Sequence, residues 1–372
     1  MASSEACALK QFLYICKMKI GPSNNTNTFT KTDLKDRLPV VSVVIPVRNE
    51  DKHIARCLQS VVDQNYPKDL AEVLVVDGMS DDSSREIVED FIRKYSFVRM
   101  INNPERVTTC ALNRGIAESK GEVIIRVDAH CTIGRDYVSC CVNTLERTGA
   151  ENVGGLMRPL GRTYLEKAIA LAMSCPFGVG GGKFHYSEKE MLVDTVYLGA
   201  YRREVFERIG LYDEEAHYSE DDELNYRLIK SGGKIFLSPK IRSRYYPRSS
   251  LSALCKQYYN FGYGKVRTIK KHGRPASFRH LVPPMFVLSL IASLILYGIR
   301  PMFWWLTIAI CGSYLVLAIL VSAKISFREG WKFFPVLPII FATLHLSYGI
   351  GFLNGILRCY FLGLRHESPQ RH

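Results

Sequence analysis

The sequence predicts an α/β domain built on a mainly parallel sheet, followed by helices able to cross a membrane. Three observations carry this reading. Short Val- and Ile-rich runs end abruptly at Gly, Asn or Asp; the segments between them space apolar residues as one helical face; and three long apolar runs are confined to the last quarter of the 372 residues. Apolar strands alternating with amphipathic helices form βαβ units, hence a parallel sheet with helices on both faces. Runs of about 20 apolar residues match a hydrocarbon core of roughly 30 Å.

Residues 1–37 are expected to form a flexible lead-in: "GPSNNTNTFTKTDLKD" is polar, and Lys10, Lys17 and Lys19 interrupt the short apolar core that a cleavable signal needs. Residues 38–248 are read as the globular domain. "LPVVSVVIPVRNE", Leu38 to Glu50, is a first buried strand, and Ile54, Leu58, Val61 and Val62 share one face of the helix after it. "AEVLVVDG" is a second strand, with Ser80 or Asp81 expected to cap a helix through Ile87, Phe91 and Ile92. "FVRMINNP" is a third, followed by a helix carrying Ala111, Leu112, Gly115 and Ile116.

The fourth strand, "GEVIIRVDAHC", ends in Asp128 and His130, and in open α/β sheets ligands bind beyond the carboxyl ends of the strands. An Asp-x-His pair there is expected to put alternate side chains on one side of the pleat, able to share a divalent metal or a metal-bound diphosphate. The alternative is a plain polar turn.

Farther on, "NVGGLMRP" and "LVDTVYLGAYRR" read as strands. The Gly-rich "CPFGVGGGKFHYSEKE" between them is not a P-loop, because Phe177 stands where a Gly is needed and Phe184 where Ser or Thr is needed. It is expected to be a mobile active-site loop or an ordinary connection. "YSEDDELNYRLIKSG" is a helix with Leu224, Leu228 and Ile229 inward. Its four consecutive acids repel one another unless a cation sits near.

The net charge is +13, and its placement matters more than its size, because no Asp or Glu occurs from Leu224 to Arg328. Lys240, Arg242, Arg244, Arg248, Lys256, Lys265, Arg267, Lys270, Lys271, Arg274 and Arg279 all precede the first apolar run. Such a belt is expected to be cytoplasmic and to face anionic lipid, with residues 249–281 as a helix on the membrane surface carrying Tyr258, Tyr259, Phe261 and Tyr263. No nucleic-acid recognition module accompanies the charge. The 11 cysteines contain no CxxC pair, which fits reduced thiols and argues against a zinc site.

The apolar runs Val282–Ile299, Met302–Ala323 and Phe334–Leu357 give a multi-pass region, 282–358, of two to three spans, with 359–372 as a tail. The first two are expected to form a hairpin about Arg300 and Pro301. The third, with Pro335, Pro338, Gly349, Gly351 and Gly355, is either broken, re-entrant or a full span. Three spans put the C-terminus opposite the catalytic domain, whereas Arg358 and Arg365 favour the cytoplasm.

Five strings in order, "VSVVIPVRNE", "VLVVDGMSDDS", "ALNRGIAESKGEVIIRVDAHC", "YLGAYRREVFERIGLYDE" and "SEDDELNYRL", resemble the family 2 glycosyltransferases of GT-A fold, over roughly residues 40–270. The likeness is to the membrane-associated bacterial enzymes of succinoglycan type. The resemblance implies that Pro46, Glu50, Asp77 and Asp128 bind the nucleotide-sugar, that Asp128 and His130 hold a divalent metal, and that Asp221 is the general base. It implies acceptor contacts at Gly199, Ala200, Tyr201, Glu220 and Gln257. His130 stands where many relatives carry Asp, which favours manganese over magnesium. The processive Q-x-x-R-W signature is absent, since Gln257 is followed by Tyr258, Tyr259 and Asn260.

The resemblance thus implies an inverting, non-processive transfer of one hexose, with glucose from UDP-glucose favoured, to a lipid-linked saccharide. The transfer is expected at the cytoplasmic face of the inner membrane, in polysaccharide or glycoconjugate synthesis. The alternatives are transfer directly onto a polyprenyl phosphate and a non-catalytic nucleotide- or glycan-binding membrane subunit. A transporter is disfavoured: the spans carry no paired charges, and His345 is their one ionisable group apart from Cys and Tyr.

Overall fold

The structure is a computed structural model and describes residues 38–361, apart from positions 217, 274 and 276. The expected lead-in, Arg274 and most of the tail lie outside the described residues.

Four parallel strands form one half of a nine-stranded sheet: β1 (Val41–Val47), β2 (Ala71–Asp77), β3 (Val98–Asn102) and β4 (Val123–Arg126). The helices crossing between them are α1 (Ile54–Val62), α2 (Ser84–Lys94) and α3 (Thr108–Glu118). Helices α1 and α3 bury the faces their spacing predicts, Ile54, Leu58, Val61 and Val62 from α1 and Ala111, Leu112, Gly115 and Ile116 from α3, whereas α2 buries Val88 and leaves the expected Ile87, Phe91 and Ile92 half-buried against the core. The chain moves outward from β1 to β3 and then returns to lay β4 on the other side of β1. That reversal opens a crevice above the ends of β1 and β4, the place where such sheets bind ligands.

The other half is mixed. After β5 (Cys131–Ile133) and α4 (Tyr137–Thr148) come β6 (Asn152–Pro159), α5 (Tyr164–Met173) and the short α6 (Pro176–Val179). Then follow β7 (Met191–Leu192), β8 (Tyr197–Arg202), α7 (Arg203–Ile209), α8 (Glu220–Lys230) and β9 (Ile235–Tyr245). The strand order is β3-β2-β1-β4-β8-β6-β9-β5, with β7 on β9. Strand β8 runs antiparallel to both β4 and β6.

Several expectations need correction. Neither Ser80 nor Asp81 caps α2: Ser80 turns back onto Asp77, and the helix begins only at Ser84, whose N–H donates to Asp82 Oδ1 at 2.9 Å. Ile229 is 43% exposed, because α8 packs on the sheet through Leu224, Asn225 and Leu228. The Gly-rich segment is anchored. The Phe177 ring lies against Phe341 and His345, and Arg279 donates to the Gly181 carbonyl at 3.1 Å.

Helix α9 (Leu251–His272) starts at Ser250, whose side chain accepts from Ala253 N–H. It does not lie free on a surface. Lys265 pairs with Asp222, Arg267 with Glu215, and Lys271 with Asp213 and Glu223, so these three of the eleven residues of the predicted basic belt neutralise the globular domain's own acids. Beyond it stand three helices long and apolar enough to cross a membrane: α10 (Val282–Ile299), α11 (Trp304–Glu329) and α12 (Leu337–Ile356). Pro338 falls in the first turn of α12, where its missing N–H costs nothing, so the helix is continuous rather than broken.

Candidate active site

The site is organised by a cation that sequence reasoning missed. Arg126, the last residue of β4, has a side chain only 9% exposed. A guanidinium at that depth needs anionic partners for its fixed fork of donors. It donates from Nε to Asp128 Oδ1 (2.8 Å), from Nη1 to Asp221 Oδ1 (2.6 Å) and from Nη2 to Glu220 Oε1 (2.9 Å). A strand end and a helix start, far apart in the chain, are thus tied together. The signal was present, as a single Arg within "EVIIRVD".

Asp128 and His130 converge, although not by the pleat. Strand β4 has already ended, and a turn closed by Cys131 N–H on the Asp128 carbonyl (2.9 Å) folds both side chains to the same side. Ligand atoms of Asp128, His130 and Cys131 lie within 4.8 Å of one another, and Glu50 Oε1 stands 3.6 Å from His130 Nδ1. Burial opposes the charge on Asp128, but the Arg126 guanidinium outweighs it and holds the carboxyl below its ordinary range. Cys131 is different. Burial pushes its thiol well up, and its Sγ lies 2.5 Å from the Tyr197 hydroxyl. Carboxylate oxygen and imidazole nitrogen, with a thiol that keeps its proton, suit a divalent cation that accepts both oxygen and nitrogen.

The four acids of α8 each meet the cation their repulsion demands. Glu220 and Asp221 face Arg126, Asp222 faces Lys265, and Glu223, 1% exposed, faces Arg227, Lys271 and His272. Asp221 is the least satisfied. Burial raises its carboxyl, Arg126 lowers it, Glu220 raises it again, and the balance leaves it pushed up to about 7. A carboxyl poised near neutrality is suited to taking a proton.

Asp77 closes β2 and is 1% exposed, bound by Arg85 and by Ser80 Oγ at 2.6 Å. Pro46 lies opposite Val76 in the same strand pair, at the crevice. Gln257 on α9 donates to the Tyr245 hydroxyl (3.0 Å), and the Tyr245 ring meets His130 edge-on at 5.7 Å. Gly199, Ala200 and Tyr201 are not brought to the crevice. They lie inside the sheet, with Ala200 paired to Ile125, while the Tyr201 hydroxyl donates to Asn225 Oδ1 on α8 (3.1 Å). Tyr201 thereby supports the acidic helix from beneath.

Residues 42–210 match the model of glycosyl transferase family 2, a stretch that runs from β1 through the Asp128 crevice to the end of α7. The chain carries a glycosyl transferase family 2 domain. The transferase is 28% identical over 317 residues to the succinoglycan biosynthesis protein ExoA of Rhizobium meliloti, covering 85% of this chain and 94% of that one. It is also 28% identical over 328 residues to a dolichyl N-acetyl-alpha-D-glucosaminyl phosphate 3-beta-D-2,3-diacetamido-2,3-dideoxy-beta-D-glucuronosyltransferase of Methanococcus voltae, covering 86% and 97%. In fold it is similar to the mannosyltransferase PcManGT of Pyrobaculum calidifontis, solved in complex with GDP-Man and Mn2+. The TM-score is 0.57 at 18% identity, over 95% of this chain and 96% of that one. The transferase therefore has the GT-A fold, with three long apolar helices at its C-terminal end.

Proposed function

We propose that the transferase moves a single hexose, glucose in the first instance, from a UDP-sugar to a lipid-linked saccharide. The reaction takes place at the cytoplasmic face of the inner membrane, with inversion at the anomeric carbon, in polysaccharide or glycoconjugate synthesis. The observation that carries this reading is the Arg126 junction, which sets Asp128 and Asp221 on two donors of one guanidinium. A donor-phosphate group and an acceptor base are thereby neighbours.

Asp128 and His130, with Glu50 beside them, would hold a divalent cation, manganese before magnesium. When bound, that ion neutralises the departing diphosphate. Pro46 and Asp77 border the place of the nucleotide. Asp221 takes the proton of the acceptor hydroxyl as its oxygen attacks the anomeric carbon and the bond to the diphosphate breaks. Glu220 and Gln257, whose Oε1 is buried without a partner, are placed to orient the acceptor. Of the expected acceptor residues Gly199, Ala200 and Tyr201, all inside the sheet, Tyr201 acts through its bond to Asn225 of α8. The dolichyl-phosphate-linked acceptor named for the Methanococcus voltae relative, and the role of the Rhizobium meliloti relative in making a polysaccharide, support a lipid-linked acceptor.

The test is UDP release from detergent-solubilised protein offered a panel of UDP-sugars with lipid-linked saccharide, under manganese, magnesium or a chelator. Release with one sugar is expected, strongest with manganese, and lost with chelator and in Asp221→Asn while donor still binds. Turnover by Asp221→Asn close to that of the wild type would remove Asp221 as the base. Equal transfer to a bare polyprenyl phosphate would replace the saccharide acceptor.

A further inference from the structure

We propose that the chain crosses the bilayer twice, through α10 and α11, and that α12 stays on the catalytic side as an in-plane helix with its outer face on lipid.

The argument begins with α9, which cannot sit in hydrocarbon. Its Lys265, Arg267 and Lys271 are paired to acids on α8 or in the segment leading into it. From Ser347 onward helix α12 runs parallel to α9 in fixed register. Ser347 Oγ donates to Cys255 Sγ (3.1 Å), and Asn354 donates to the Tyr259 hydroxyl. Near the end, Lys270 Nζ donates to the Cys359 carbonyl (2.5 Å). Glycines bring the two backbones together: a Cβ on Gly262 would collide with the Tyr348 carbonyl, and one on Gly351 with the Tyr259 carbonyl. A helix held this way through its second half cannot leave its partner to traverse a membrane.

Its other contacts agree. Leu337, Ile340, Phe341 and Leu344 belong to the same continuous core as the sheet, and His345 Nε2 lies 2.8 Å from the Phe177 carbonyl. Of its apolar window 44% is buried, against 17% for α10 and 11% for α11. Its outer residues, Ile339, Ile350, Leu357 and Phe361, are exposed and apolar.

Helices α10 and α11 behave otherwise. They pair antiparallel about Arg300: Thr307 Oγ1 donates to Ser293 Oγ (3.0 Å), and Phe286 stacks on Tyr314 at 4.6 Å. Both open ends return to the catalytic domain, through Arg279 on Asp194 (2.9 Å) and the Tyr164 hydroxyl on the Lys332 carbonyl (2.5 Å). At about 1.5 Å per residue, the 18 residues of α10 reach about 27 Å, enough to cross. Charge follows the same division. Arg300 stands alone at the closed end, while Arg328, Lys332 and Arg358 lie at the other, so two crossings remove the conflict over the C-terminus.

The test uses the full chain in the inner membrane of a bacterial host, with a fluorescent protein fused at either terminus, since its chromophore matures only on the cytoplasmic side. A membrane-impermeant maleimide then reads R300C in intact cells, over the background of the wild-type cysteines. Two bright fusions and labelled R300C are expected. A bright N-terminal but dark C-terminal fusion means three crossings and overturns the proposal. Labelling of R300C only after lysis means a hairpin that enters without crossing, and overturns it as well. Should R300C not accumulate, G298C reports the same turn from a position with open space around it.

Discussion

Arg126 stands in an otherwise apolar strand and faces three carboxylates. Removing one partner of a buried ionic cluster leaves the others uncompensated, typically at about 3–5 kcal/mol. Arg126→Met is therefore expected to lower the unfolding midpoint by several degrees, measured by thermal unfolding in detergent. Arg126→Lys keeps the charge but not the three-way fork, so it should recover stability only in part. Asp221 gives a second prediction. With its carboxyl pushed up to about 7 and the ionised form doing the work, kcat/KM should climb as pH rises through that value and level off above it. A profile flat through neutrality would assign the proton to another group. At this scale Asp128 and His130 were legible as candidates from their place after an apolar strand, and Asp221 only through the family resemblance, because acids in a first helical turn ordinarily serve the helix dipole. Arg126 was not, since its role depends on partners 94 and 95 residues away.

Among the elements, the parallel strands and their crossover helices were the most readable, because period and burial agree in each. The apolar helices were legible as helices, but not in what covers them. A side chain that avoids water has the same sequence signature whether lipid or protein covers it, so α12 stayed open between a broken, a re-entrant and a fully spanning segment. What separates the two cases is the pairing of glycines on α9 and α12, which becomes visible only when both helices are in place. Gly351→Leu drives a branched chain into the Tyr259 backbone, and overpacking of this kind costs about 1–3 kcal/mol. It is expected to loosen α9 and reduce transfer, while Gly312→Leu, on α11 with nothing within 4 Å, leaves both unchanged. Thermal unfolding and nucleotide release on the pair of variants make the comparison.

For the whole molecule, the catalytic domain and its membrane region share one core. Phe333, Leu337, Ile340, Phe341 and Leu344 pack in the same cluster as Val43, Ile125 and Val153 of the sheet. A chain ending at Gly330 is accordingly expected not to yield folded enzyme. Gel filtration in detergent should find it aggregated, where separable domains would leave a soluble, donor-binding fragment. The sequence reading drew its boundary at residue 281, where the composition changes, but composition marks where water ends and not where packing does.

The short step from base to membrane has a kinetic consequence. Asp222, next to Asp221, is bound by Lys265, and its charge is further favoured by Arg279, which stands just before α10. On the proposed function, a lipid-borne acceptor would reach the proposed base by sliding within a leaflet, in a search over two dimensions. Velocity should follow the mole fraction of acceptor in the bilayer and fall when inert lipid is added at constant bulk concentration. The enzyme would respond to how crowded its surface is with substrate, and be indifferent to the volume around it.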